Sequence, residues 1–189
     1  MKNNQIFVLL FIYVIIATLT IIFFDGTGDS GDSIHHYQFA KLAPLHPELF
    51  FNHWAKPLYV LLASPFAQFT FIGVKIFNSI VSLLTIFFTF KIAQKLNINN
   101  AIIGAIILIF SPLCFVLTFS GLTEPLFALF ISIGLYTILV KKPIISCLLI
   151  SFLPFIRSEG LIIIGVFGLY FLLKRKWKLL TSVSSQNQL

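Results

Sequence analysis

Apolar residues in this chain come in runs, not stripes. The segments 6–24, 73–93, 101–119, 123–140, 143–156 and 161–173 are apolar almost throughout, and the polar residues collect between them. A soluble amphipathic helix would show a polar face recurring every three to four positions. Runs approaching the roughly 20 residues that cross a hydrocarbon layer about 30 Å thick predict membrane helices, because only helices and closed barrels satisfy their own backbone groups in lipid. The expected fold is one all-α integral membrane domain over 1–189, with about six transmembrane helices.

A further run, 57–72, decides the topology. If it does not cross, Lys2, Lys91, Lys95, Lys141, Lys142, Lys174, Arg175, Lys176 and Lys178 share one side, and only Lys41, Lys56, Lys75 and Arg157 lie opposite. If it crosses, only Lys2, Lys75 and Arg157 share the N-terminal side. Basic residues gather on the cytoplasmic side. The run 57–72 is therefore expected to lie in the membrane plane or to re-enter. The N-terminus is then cytoplasmic, and the long first loop, 25–56, is extracytoplasmic and carries short interfacial helices. The first run lacks a small-residue cleavage site before Asp25, so it reads as a retained anchor and not a cleaved signal.

Composition agrees with this pattern. Charged residues make up 10% of the chain and hydrophobic ones 58%, whereas soluble domains carry about 25% charged residues. The formal charge of +7 would suit nucleic acid. However, the basic residues sit singly or at the ends of apolar runs, with no aromatic-interleaved patch, so no nucleic-acid partner is expected. Cys114 and Cys147 lie inside apolar runs without metal-ligand spacing and read as small packing residues.

On this topology all six acidic residues fall on the outer side, with His35, His36, His46 and His53. Acidic residues do little to set orientation. Their one-sidedness therefore points to outer-face chemistry, although a solvated loop could also collect them.

Three outer segments carry that chemistry. In the first loop, Asp25 to Asp32 form a carboxylate-studded turn before a short helix, which Ser33 or Asp32 can cap and which Pro44 and Pro47 end. Asp29, Asp32, His35 and His36 could hold a divalent cation, but their spacing matches neither an EF-hand nor a zincin. The second segment is the turn Ser120 to Pro125, with Glu124 at a helix start, where capping is the simpler role. The third is Arg157-Ser-Glu-Gly160. It joins two runs of about 14 residues or fewer, which reach only about 21 Å at 1.5 Å per residue. That turn is expected to lie below the outer surface, at the bend of a re-entering hairpin. Ionisable groups held at depth mark either a functional site or a pair, such as Arg157 with Glu124 or Glu159.

In this order, the elements resemble the GT-C class of polytopic glycosyltransferases, which take sugars from polyprenyl-phosphate carriers. The resemblance rests on an anchor span, an outer loop with Gly31-Asp-Ser33 and Tyr37, an in-plane segment after His53-Trp-Ala-Lys-Pro57, and the Thr123-Glu-Pro and Arg157-Ser-Glu-Gly turns. It implies transfer of a sugar from a polyprenyl-phosphate donor to a hydroxyl of a glycan, lipid or protein acceptor at the outer face of a cell membrane, such as a bacterial inner membrane. It also implies that a loop aspartate is the catalytic base, and Asp32 matches that position best, with Asp29 as the alternative. A carboxylate can take the proton of an attacking hydroxyl. Arg157 suits stabilisation of the departing phosphate, with Glu124, Glu159, His36, His53, Lys56 and Tyr37 as further substrate-binding candidates. The class usually has eight or more spans, so the chain reads as an N-terminal or truncated part. The competing expectation is a transporter or a non-catalytic assembly subunit, including an inactive truncated transferase. No internal repeat of the kind common in transporters is visible.

Overall fold

A computed structural model describes residues 2–29 and 31–186. It is helical, with no strand among the described residues. The helices are α1 (Lys2–Phe23), α2 (Asp32–Leu42), α3 (Pro57–Ala67), α4 (Thr70–Lys95), α5 (Ile102–Phe110), α6 (Pro112–Thr118), α7 (Glu124–Leu139), α8 (Pro143–Ser151) and α9 (Gly160–Gln186), with 3-10 turns at Pro47–Phe51 and Leu153–Phe155.

Proline sets several of these boundaries. Pro57, Pro112, Pro125 and Pro143 each occupy the first or second position of a helix, where the missing N–H is not needed and φ is already suitable. Pro112 also divides a segment expected to be one helix. The residue before a proline is pushed out of the helical region, and Ser111 accordingly has ψ 122°, which separates α5 from α6.

The centre of the fold is α4, which packs against α1, α3, α5, α6 and α7. Its first half contributes Val74, Phe77 and Val81 to a core shared with Tyr59, Ala63 and Ala67 of α3, Leu126 and Leu129 of α7, Ile150 of α8, and Leu153 and Ile156 beyond it. Its second half places Ile86 and Phe90 against Ile6, Leu9, Tyr13 and Ala17 of α1 and Ala105 and Ile109 of α5. After α8 the chain doubles back, and α9 packs on α8 and on Leu153–Phe155.

Much apolar surface stays exposed. The buried positions of α1 form a single stripe, whereas Phe7, Phe11, Ile15, Leu19 and Ile22 face outward. Leu161, Ile162, Val166, Leu169 and Leu172 do the same on α9. Two helical segments are long and apolar enough to cross a membrane, Asn4–Phe23 and Thr70–Lys95. Pro57–Ala67, Glu124–Leu139, Pro143–Phe155 and Gly160–Lys174 are apolar and shorter.

Candidate functional site

The start of α2 is held from outside the helix. The Ser33 N–H donates to Asp29 Oδ2 at 2.8 Å, so neither Ser33 nor Asp32 caps as expected. The helix has no side-chain cap at its own N-cap residue, Gly31. Burial opposes ionisation of Asp29, but hydrogen bonds from Thr27 and Ser33 outweigh it and hold the carboxyl below its usual range. With the cap supplied by Asp29, the exposed Asp32 carboxylate makes no hydrogen bond or ion pair to a described residue. Ser33 is used elsewhere: its Oγ accepts the Gly121 N–H at 2.8 Å.

That contact is one of several fixing the turn before α7. The Tyr59 hydroxyl donates to the Gly121 carbonyl at 2.8 Å, and Asn78 Nδ2 donates to the carbonyls of Ser120 (2.8 Å) and Leu122 (3.1 Å). Groups from α2, α3 and α4 thus converge on residues 120–122. A Cβ at Gly121 would stand 2.6 Å from the Ser33 carbonyl oxygen, so only glycine allows so close an approach. This turn aims Glu124.

Glu124 meets Arg157 there. Arg157 Nη1 pairs with Glu124 Oε1, and Nη2 donates to Glu159 Oε1 at 2.7 Å. The two glutamates thus divide the planar donor fork of a guanidinium. Its bond to Glu159 raises the Arg157 pKa against the cost of burial, Glu124 adds to the rise, and the same bond holds the Glu159 carboxyl below its usual range. Glu124 Oε2 is buried without a partner among the described residues. At Gly160 a Cβ would stand 2.4 Å from the Leu153 carbonyl carbon, so this glycine lets the hairpin close behind Arg157. Lys56 Nζ completes the cluster by donating to Ser158 Oγ at 2.9 Å. Lys56 itself has φ +67°, a conformation that costs a non-glycine residue energy and is found mostly where surrounding structure enforces it.

His36 lies between aromatic rings. Its imidazole stacks on Trp54 with centroids 4.9 Å apart and meets the edge of Tyr59 at 5.5 Å. Burial lowers its pKa, while a bond to the Ala55 backbone and the charges of Asp32 and Glu124 pull the other way.

The remaining sequence candidates fall elsewhere. Tyr37 packs edge-on against Phe71 beneath the Lys41 ammonium. His53 borders an apolar groove of about 680 Å³, whose walls include Phe50, Phe51, Leu61, Phe152 and Phe155. Among the described residues no three His, Cys, Asp or Glu side chains come together as metal ligands would. Sequence reasoning missed Tyr59, Asn78 and Ser158. Asn78, a fully buried amide inside an apolar run, was the readable signal. Comparison with family models, curated proteins and solved structures finds no match.

Proposed function

We propose that the chain is a multi-pass membrane glycosyltransferase of GT-C type, moving a sugar from a polyprenyl-phosphate carrier to an acceptor hydroxyl on the extracytoplasmic face. The observation that carries this reading is the convergence of three polar segments far apart in sequence. The α2 start, the 120–124 turn and the 157–159 turn meet in one cluster, with the apolar groove at its edge. Cations beside an apolar groove suit an amphiphile with a phosphate head, and a carboxylate left free of capping suits a base.

The membrane placement is part of the proposal. The outward apolar faces of α1 and α9 would be a liability in water and are ordinary against lipid. On this reading α1, α4, α5 with α6, α7, α8 and α9 make the six spans. At 11 residues, α3 reaches about 16 Å at 1.5 Å per residue, which fits an in-plane helix.

The transfer balances simply. The acceptor oxygen bonds to the anomeric carbon as the bond from that carbon to the phosphate oxygen breaks. The acceptor proton passes to Asp32. The electron pair leaves with the polyprenyl phosphate, whose charge Arg157 and Lys56 offset. Arg157 must exchange at least one glutamate contact for the phosphate as the donor arrives. That closed pairing also favours a second reading, in which the ion cluster is a brace within a non-catalytic assembly subunit or transporter.

Membranes containing the protein, supplied with labelled polyprenyl-phosphate sugar, separate these readings. Asp32→Asn is expected to reduce transfer by at least about 10²-fold, the lower range for general-base catalysis, with normal accumulation in the membrane. Arg157→Ala is expected to raise the donor KM. Full transfer by Asp32→Asn would remove the base assignment, and solute flux without transfer would favour the second reading.

A further inference from the structure

The Asn52–Lys56 loop presents an indole that the proposed chemistry has not used. Asn52 Oδ1 accepts the N–H groups of both Trp54 and Ala55 at 3.0 Å, which fixes the loop as a tight turn. Among the described residues, the rings packed against Trp54 come from α2. His36 is stacked at 4.9 Å and 16°, His35 lies edge-on at 5.9 Å, and Phe39 is tilted at 5.9 Å. Trp54 nevertheless stays 49% exposed, whereas His36 beneath it is only 7% exposed. One face of the indole is thus backed by a buried ring, and much of the rest stands open.

The position of that open surface is informative. Asp32, His35, His36 and Phe39 occupy one face of α2 at the spacing of a helical stripe, and the last three hold Trp54. Asp32 lies one turn further along the same stripe, about 6 Å along the axis. On the other side Lys56, two residues after Trp54, reaches Ser158 beside Arg157. His36 feels the charges of Asp32, Glu124 and Lys56, so those groups lie near the buried side of the stack. The indole therefore lies near both the helix that bears the proposed base and the loop that carries a proposed phosphate cation. A pyranose offers a face of C–H groups, and the negative face of an aromatic ring attracts such partially positive edges.

We propose that the exposed face of Trp54 is the platform on which the donor hexose stacks, with its anomeric carbon turned between Asp32 and the Lys56–Arg157 cations. This rests on the transferase reading. An indole serving only to anchor the loop at a headgroup layer would be replaceable by another bulky apolar side chain, whereas a stacking platform needs an aromatic face.

The test uses the full-length protein in membranes with farnesyl-phosphate mannose and farnesyl-phosphate glucose as donors. Trp54→Leu is expected to raise the donor KM about tenfold, the scale of one aromatic contact, with kcat nearly unchanged, while Trp54→Phe stays close to wild type. In a Trp177→Phe background, Trp54 emission should change saturably with the sugar-bearing donor and not with farnesyl phosphate alone. Transfer by the wild type with an unchanged KM in Trp54→Leu would overturn the platform and leave the transferase reading standing, as would equal emission changes with both lipids. Absence of wild-type transfer from either donor would overturn the transferase reading, and the platform with it.

Discussion

At the scale of single residues, His36 couples the site to acidity. Its burial lowers its pKa below the ordinary 6.5, so the unfolded chain binds this proton more readily than the folded one. Stability contributed by the neutral imidazole is fully present above 6.5 and is lost as pH falls through the lower folded value. The charges facing it are Asp32 and Glu124, which oppose the shift, and Lys56, which adds to it. Acidification from about pH 7.5 to 5.5 should therefore lower the thermal midpoint of the purified protein. His36→Phe should flatten that dependence, and an equal slope in both proteins would show that another group titrates. The Asp29 and Glu159 carboxyls are held low, so their contributions fade only at more acid pH. The residues of this site were unevenly legible in the sequence. Arg157, Glu124 and Glu159 stood out as charges between apolar runs. By contrast, choosing Asp29 over Asp32 as the cap depends on how the 25–31 turn folds back, and no local spacing encodes that.

At the scale of elements, the contact between α2 and the turn before α7 sets the geometry of the cluster. Gly121→Ala would place a methyl 2.6 Å from the Ser33 carbonyl oxygen and 3.1 Å from the Phe71 ring. Overpacking of this kind costs about 1–3 kcal/mol. The expected result is a lower thermal midpoint together with a loss of transfer larger than the loss of folded protein, because the methyl pushes the helix bearing Asp32 away from Glu124. Gly165→Ala on α9, where a Cβ meets nothing within 4 Å, is the matched control, and equal effects from the two substitutions would refute the argument. Most helices were legible as apolar runs, since run length is a local property. The division at Ser111 follows from Pro112, but the run 101–119 is apolar on both sides of that proline, so run length alone does not reveal it. The side chains of α2, α3 and α4 that grip residues 120–122 were not legible, because hydrogen bonds across 42 to 88 residues leave no periodic trace.

At the scale of the whole molecule, the proposed topology places the cluster outside and the lysines at the α7–α8 turn inside. With Cys114 and Cys147 replaced by alanine, Glu48→Cys should react with a membrane-impermeant maleimide in intact cells. Lys142→Cys should react only after permeabilisation, and labelling of both from one side would sink the topology. The grip on Gly121 has a further consequence, for the order of events during synthesis. Chains fold from the N-terminus as they emerge, yet the Ser33 hydroxyl waits for a partner 88 residues later. By then α2 can already pack on α3, but until the Ser120 to Glu124 turn is made, the hydroxyls of Ser33 and Tyr59 and the Asn78 amide lack their partners. Chains extended past α7 should therefore protect the start of α2 from protease better than nascent chains halted before Ser120. The site would close late in biogenesis, long after Asp32 and Trp54 have left the ribosome and once Arg157 has followed them.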